Sequence, residues 1–343
     1  MAKAFKVIVV GCGVMSREWI RYAVEHAPEI EIQALVDIVP AAAEKRSQEF
    51  GLNVPIYSDL SEALDRTEAN LAFDITLPEN RESVVGTALS RGLDVLSEKP
   101  MADSWAGARR LVEQADRLNR RFIVMQNRRY NPAIRRLQSL LQSGTIGQTG
   151  FAAADFFLGP HFGGFREAMD HPLLLDMAIH TFDQARFILQ SDPVSVYCHA
   201  FNPPGSWYRG NAAAIAIFEW ENQITFEYRG SWAAEGAPTS WESSWRITGS
   251  EGTALWDGES DPYAEIVDHD LPAEFIRKTK RIAWAPPWPH QSGHRGCLDA
   301  MFAALSEGKP AETEAVNNLG SVAMVFGAIE SAQSGRPVSL SDR

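Results

Sequence analysis

Val7-Ile8-Val9-Val10-Gly11-Cys12-Gly13-Val14-Met15-Ser16 is the stretch that decides the fold. Four β-branched residues in a row read as a strand buried on both faces, the pattern of a parallel sheet covered by helices. Gly11 and Gly13 follow that strand directly and precede a helical segment from about Ser16 to His26. In that setting a glycine pair permits a tight turn and close backbone approach, and the helix N-terminus faces a diphosphate. The third glycine of the usual fingerprint is replaced by Ser16. A small residue there still lets helix and strand pack, and its hydroxyl is able to cap the helix or bond phosphate. By itself GxGxxS is a weak signal.

Reading outward strengthens it. Ile30 to Val36 is a second strand that ends at Asp37, where a carboxylate accepts hydrogen bonds from adenosine ribose hydroxyls. Ile38, Val39 and Pro40 follow, so no basic residue stands close behind Asp37 to compensate a 2′-phosphate, and NAD is favoured over NADP. Further strand and helix segments alternate: Pro40 to Phe50, Leu71 to Leu77, Arg81 to Arg91, then Val95-Leu96 running into Glu98-Lys99-Pro100, and Phe122 to Met125. Repeated βα units imply a doubly wound parallel sheet. Thr76 and Pro78 lie in a loop after a strand, where they border either the nicotinamide ribose or nothing but the turn itself.

Beyond Gln126 the pattern changes. A helix from about Asn131 to Gln142 gives way to sequential strands, Val194 to Phe201, Ala213 to Trp220, Gln223 to Ser231, Ser244 to Thr248 and Thr253 to Asp257. These predict an α/β domain with a large, open, mostly antiparallel sheet, followed by helices Leu298 to Ser306 and Ala315 to Ser334, which are free to pack back against either domain. The expected division is a Rossmann domain over 1–125 and a substrate-binding and oligomerisation domain over 126–343. Alternation of Ala213, Ile215, Ile217, Ile224, Phe226 and Tyr228 leaves one sheet face to be covered by helices and another, rich in Trp and Phe, to be covered by a second copy. That predicts a homodimer or homotetramer.

Composition narrows the partners. The 343 residues carry a formal net charge of −12, which argues against nucleic acid or an anionic membrane surface. Cys12, Cys198 and Cys297 are far apart and odd in number, as expected of a reducing cytoplasm and not of a disulfide framework or thiolate zinc site. The N-terminus runs straight into a strand without a signal-peptide pattern, and no apolar run approaches the ~20 residues of a membrane span. His290 and His294 lack a close acidic partner and Gly293 interrupts their spacing, so no metal is expected, although His294 near substrate is compatible with the pattern.

Asp176-Met177-Ala178-Ile179-His180 places a carboxylate and an imidazole four residues apart, on one face of a helix. With Lys99 at the carboxyl end of a parallel strand, these are the groups that alcohol oxidation beside a nicotinamide requires. Asp183 stands one turn further and offers an alternative partner for the imidazole. The set Gly11-Cys12-Gly13-Val14-Met15, Asp37, Glu98-Lys99-Pro100 and Asp176-x-x-x-His180-x-x-Asp183 resembles the glucose–fructose oxidoreductase, inositol dehydrogenase and rhizopine-catabolism (Gfo/Idh/MocA) family. So do Gln126-Asn127-Arg128-Arg129-Tyr130, Ser143 to Gly147 and the tail from Glu330 to Arg336, so the resemblance spans nearly the whole chain.

The resemblance implies an NAD-dependent oxidoreductase acting on a secondary alcohol of a sugar, sugar derivative or cyclitol, with a cis bond between Lys99 and Pro100. It implies catalysis by Lys99, Asp176 and His180, with either His180 or Lys99 as the base. It implies cofactor contacts from Gly11, Gly13, Val14, Met15, Asp37, Ile38, Thr76, Pro78, Glu98, Lys99 and Asn127. Substrate contacts are implied for Lys99, Arg128, Tyr130, Asp155, Arg166, Asp176 and His180, with Arg129 in the same segment. The chain departs from the family pattern before Asp176, where Asp170-His171-Pro172-Leu173-Leu174-Leu175 replaces a glycine-rich stretch and Gly163-Gly164-Phe165-Arg166 partly compensates. Two other functions use the same scaffold: cleavage of a glycoside by transient oxidation with retained NAD, and a sensor without turnover. Trp207, Tyr208, Trp232 and Trp241 are able to stack on sugar rings, but tryptophans in such a sheet more often belong to core or interface.

Overall fold

The computed structural model describes residues 5–272, 274–341 and 343. The chain divides into two compact units: Met1–Asn127 with Gln291–Leu319, and Arg128–His290 with Gly320–Arg343. Residues 291–319 return to the first unit, one of the two placements open to the last helices.

In the first unit β1 (Phe5–Val10), α1 (Ser16–Glu25), β2 (Ile30–Val36), α2 (Pro40–Phe50), β3 (Ile56–Tyr57), α3 (Leu60–Asp65), β4 (Leu71–Asp74), α4 (Pro78–Ser90), β5 (Asp94–Ser97), α5 (Trp105–Arg117) and β6 (Phe122–Val124) alternate. The strands pair in parallel in the order β3-β2-β1-β4-β5-β6. Val7 to Val10 are almost wholly buried, as a strand flanked on both faces must be. The order reverses at β1, so the loops after β1 and β4 part there and open a crevice at the carboxyl ends of the strands. Pro40 and Pro78 each sit in the first turn of their helix, where the missing N–H would have no partner in any case.

The second unit holds α6 (Pro132–Gln142), β7 (Thr149–Phe157), α7 (Phe165–Ala168), a π-helix (Leu173–Ala178), α8 (Ile179–Leu189), β8 (Ser195–Phe201), β9 (Ala213–Glu219), β10 (Thr225–Ser231), β11 (Ser244–Gly249), β12 (Gly252–Trp256), β13 (Tyr263–Val267) and β14 (Thr279–Ala283). α9 (Gly293–Glu307) belongs to the first unit, α10 (Ala315–Ser334) starts there and ends in the second, and β15 (Val338–Ser339) closes the chain. Nine strands form one sheet in the order β14-β13-β12-β11-β7-β10-β9-β8-β15, antiparallel except where β10 runs parallel to β7. Among the described residues no helix is long and apolar enough to cross a membrane.

Period-two alternation sets the two faces of this sheet. Ala152, Ala154 and Phe156 of β7, Ala214, Ala216 and Phe218 of β9, and Phe226 and Tyr228 of β10 are buried. Phe182 of α8 packs edge-on against Phe218 and Tyr228, with ring centroids 4.8 and 5.2 Å away. The alternate residues Phe151, Tyr197, Phe201, Ile215 and Ile217 are each more than a third exposed. Trp220, Trp232, Trp245 and Trp256 are buried, so the open face is built from Ile, Phe and Tyr and not from the tryptophans expected there.

Candidate active site

The loop after β1 is built around a position that only glycine fills. Gly11 has φ +90°, and a Cβ on it would lie 2.7 Å from the carbonyl carbon and oxygen of Ile75, just past β4. Gly13 has the opposite character: a Cβ there would meet nothing within 4 Å, so open space stands over the loop. Asp37 ties the loop to the end of β2. One carboxylate oxygen accepts from the Cys12 N–H at 2.7 Å and the other from the Val39 N–H at 2.8 Å, and each oxygen keeps a second lone pair for a ribose hydroxyl. Ile38 is 83% exposed, an apolar surface that an adenine ring would cover. These residues fit a dinucleotide. Burial of the Cys12 thiol pushes its pKa up to about 12, so it stays a protonated packing group beneath that loop.

At the carboxyl ends of β4 and β5 a buried network fixes the next loops. Asp74 accepts from the Thr76 hydroxyl at 2.5 Å and from Ser97 at 2.6 Å, while Arg81 donates to the carbonyls of Thr76 and Pro100. The Thr76 hydroxyl therefore closes its own turn, and Pro78 starts α4 beside it. Glu98 is buried and accepts from the Trp19 indole N–H at 2.9 Å. Lys99 follows, half-buried, with a cis bond to Pro100. The Asn127 amide lies 3.2 Å from His294 Nδ1, and His294 Nε2 lies 3.8 Å from Glu98. Sequence reasoning left His294 without a partner, because α9 returns to this unit from far along the chain.

In the second unit the segment before His180 is a π-helix, which the sequence pattern did not separate from ordinary helix. Single-turn π segments occur frequently at functional sites, since the wider turn re-aims side chains. Asp176 lies in it and His180, only 7% exposed, one turn later at the start of α8. Arg166 Nε donates to Asp176 Oδ2 at 2.6 Å, and its guanidinium also lies over the rings of Phe162 and Phe165. Gly163 and Gly164, at φ +67° and +69°, turn the chain into the short α7 that presents Arg166. Arg128 is largely buried beside the π-helix. It donates to the Trp241 carbonyl and to Met177 Sδ and lies 3.7 Å from Glu242, whose charge offsets the burial that works against the guanidinium. Burial likewise depresses the His171 imidazole, with Asp170 acting the other way. Tyr130 is buried, with the Arg135 guanidinium 4.8 Å from its ring centre.

Two expectations are corrected. Asp155 points to the open sheet face, where Arg229 holds both its oxygens at 2.7 Å; alternation along β7 sets it opposite the helices that carry Asp176 and His180. Asp183 does not serve the imidazole. It takes a bidentate pair of bonds from Arg129 at 2.7 Å, plus the Ser321 hydroxyl, in the core of the unit. Removing either partner of such a buried pair costs about 3–5 kcal/mol. Of the four aromatic candidates Tyr208 and Trp232 are buried, Trp207 donates to the Pro160 carbonyl, and Trp241 alone is strongly exposed, at 46%. Among the described residues no cluster of three His, Cys, Asp or Glu side chains is arranged to hold a metal.

Comparison with known proteins decides the family. Residues 5–126 match the family described as "Oxidoreductase family, NAD-binding Rossmann fold", and residues 134–255 match the GFO/IDH/MocA C-terminal domain. The chain belongs to the Gfo/Idh/MocA family of NAD-dependent oxidoreductases. Its similar relatives include a D-apiose dehydrogenase of Paraburkholderia graminis, 27% identical over 98% of this chain and 90% of the relative. An inositol 2-dehydrogenase/D-chiro-inositol 3-dehydrogenase of Lacticaseibacillus casei is 28% identical over 56% of this chain and 55% of its own. The same fold occurs in an Agrobacterium radiobacter oxidoreductase solved with NAD+, L-tartaric acid and magnesium, at TM-score 0.86 and 20% identity over 99% of both chains. The Gfo/Idh/MocA assignment matches the alternating βα unit and the open sheet described above.

Proposed function

We propose that this enzyme oxidises a secondary alcohol of a sugar, sugar derivative or cyclitol, with Lys99, Asp176 and His180 handling the proton. The observation that carries this reading is Asp176, fixed by Arg166 at 2.6 Å in a π-helical turn, one turn ahead of buried His180. A held carboxylate and an imidazole one turn apart are the residue types that general acid–base chemistry uses, which supports this reading. The names of the D-apiose and inositol dehydrogenases among its relatives support a polyhydroxylated substrate.

Bound NAD supplies the hydride acceptor. Gly11, Gly13, Val14 and Met15 hold its diphosphate, Asp37 and Ile38 its adenosine, and Thr76, Pro78, Glu98, Lys99 and Asn127 its nicotinamide half. His180 in its neutral form takes the hydroxyl proton. The Lys99 ammonium hydrogen-bonds the same oxygen and stabilises negative charge as it grows there. Asp176 bonds a neighbouring hydroxyl, with Arg166, Arg128 and Tyr130 shaping the surrounding surface. A panel of sugars, sugar acids and inositols assayed for NADH by absorbance tests the reading. Net NADH from one or more of them supports it, whereas turnover of a glycoside without net NADH would point to the elimination cycle instead.

Asp37 also gives a cofactor preference. With no basic residue behind it, a 2′-phosphate meets an uncompensated carboxylate. NAD+ is expected to bind at least about tenfold more tightly than NADP+, visible as about 1.4 kcal/mol more stabilisation at equal saturating concentration. Asp37→Ala narrows that gap. Greater thermal stabilisation of the wild type by NADP+ contradicts the assignment.

The free, buried cysteines support a cytoplasmic setting. The apolar open face of the nine-stranded sheet supports a homodimer or homotetramer built on it, since monomers rarely leave such a patch to water. Light scattering at micromolar concentration is expected to give two or four times the 38.0 kDa chain mass, and a monomeric mass rules this assembly out.

A further inference from the structure

We propose that Arg46 is a positioning residue for the cofactor diphosphate, acting through the Gly13 carbonyl and Ser16. Arg46 rises from α2 and is 6% exposed. Its Nε donates to the Gly13 carbonyl at 3.2 Å and to Ser16 Oγ at 3.1 Å, and its Nη2 donates to the same carbonyl at 3.1 Å. Ser16 Oγ adds a third donor to that carbonyl at 2.7 Å. Glu49 accepts from Arg46 Nη1 and pairs with Arg17 at 2.5 Å, so the guanidinium plane is fixed from behind.

One carbonyl holding three donors determines the orientation of its whole peptide. The Gly13–Val14 peptide is planar and trans, so its carbonyl and its N–H lie on opposite edges. Drawing the oxygen toward Arg46 turns the Val14 N–H the other way, to the outer side of the loop. That N–H leads into the first turn of α1, where backbone donors and the helix dipole together favour an anion. Little else fixes this plane, because Gly13 has no side chain and open space around it, and Val14 is 78% exposed. Ser16, fully buried where a third glycine usually lies, supplies the hydroxyl that completes the clamp. The guanidinium also brings positive charge up behind the loop.

The inference rests on NAD binding by the first unit and is independent of the substrate. Isothermal titration of NAD+, ADP and adenosine tests it on the wild type and on Arg46→Met, Arg46→Lys and Ser16→Ala. Adenosine keeps the contacts to Asp37 and lacks the diphosphate. Arg46→Met is expected to weaken NAD+ and ADP by about tenfold or more while leaving adenosine within about twofold. Arg46→Lys, which keeps the charge without the forked donors, falls between. Equal losses for ADP and adenosine, or no loss for either, overturn the role of Arg46. A wild type that binds no NAD+ overturns the cofactor assignment as well, so the two failures are distinct. Should Arg46→Met not fold, Ser16→Ala decides: the same split at smaller size supports the clamp, and unchanged ADP affinity refutes it.

Discussion

Replacing His180 by alanine is expected to lower kcat by at least about a hundredfold while leaving the Kd for NAD+ within about twofold of wild type, because a positioned general base contributes about 10²- to 10⁴-fold. Lys99→Ala is expected to lose as much, through the unsupported charge on the reacting oxygen. The two differ in pH dependence. In the oxidation direction kcat rises with pH as the accepting group loses its proton. That rise disappears in His180→Ala and persists, at lower amplitude, in Lys99→Ala. The opposite pattern transfers the base role to Lys99. A His180→Ala chain that keeps more than about a tenth of wild-type kcat removes histidine from the proton step altogether. Asp176→Ala is expected to raise KM as well as lower kcat, and Arg166→Ala to reproduce part of that KM effect by releasing the carboxylate it holds at 2.6 Å.

The second large effect separates the two glycines of the cofactor loop. Gly11→Ala forces a Cβ to within 2.7 Å of the Ile75 backbone at a φ of +90°, so the loop and β4 must move apart. A stability loss of about 2–4 kcal/mol is expected from strain and overpacking together, with NAD+ affinity falling by about two decades or more. Gly13→Ala meets no neighbour, so the protein without cofactor is expected to melt within about 1 °C of wild type. Its NAD+ affinity nevertheless falls, because the methyl occupies space that the diphosphate takes. Thermal melts with and without NAD+ read both effects. A Gly13→Ala chain with wild-type NAD+ affinity would show that the open space over the loop is not the cofactor's.

Much of this was legible in the sequence because the signals are local. The β-branched run of β1, the glycines behind it and Asp37 closing β2 lie within a few dozen residues and follow from backbone geometry alone. The strands β8 to β12 announced themselves by alternation and turn residues. β7 did not: Gly150 and three alanines give no β-branched signal, and its place at the centre of the sheet depends on pairing with β10 and β11. β14 lies at one edge, where the exposed Thr279, Lys280 and Arg281 replace the pattern.

The site was readable to a similar limit. Residue types at Lys99, Asp176 and His180 stand out in the chain, but the ion pair that occupies the neighbouring Asp183 is long-range. Arg129 reaches Asp183 from 54 positions away, which is why Asp183 looked available to the imidazole. Asp155 was misplaced for a different reason: a strand that gives no hydrophobic alternation does not say which face its carboxylate takes. The π-helix is invisible in composition, since Leu173 to Ala178 would satisfy an α-helix equally well. Arg46 carries no motif at all, and only its hydrogen bonds to Gly13 and Ser16 identify it.

The most direct test of the central claim follows a label. With the polyol substrate found in the panel deuterated at its carbinol carbon, the account predicts that the NADH released by the wild-type enzyme carries one deuterium, matched by one equivalent of ketone product. Unlabelled NADH, or label retained in the product with no net NADH, would contradict oxidation of that alcohol as the reaction this enzyme performs.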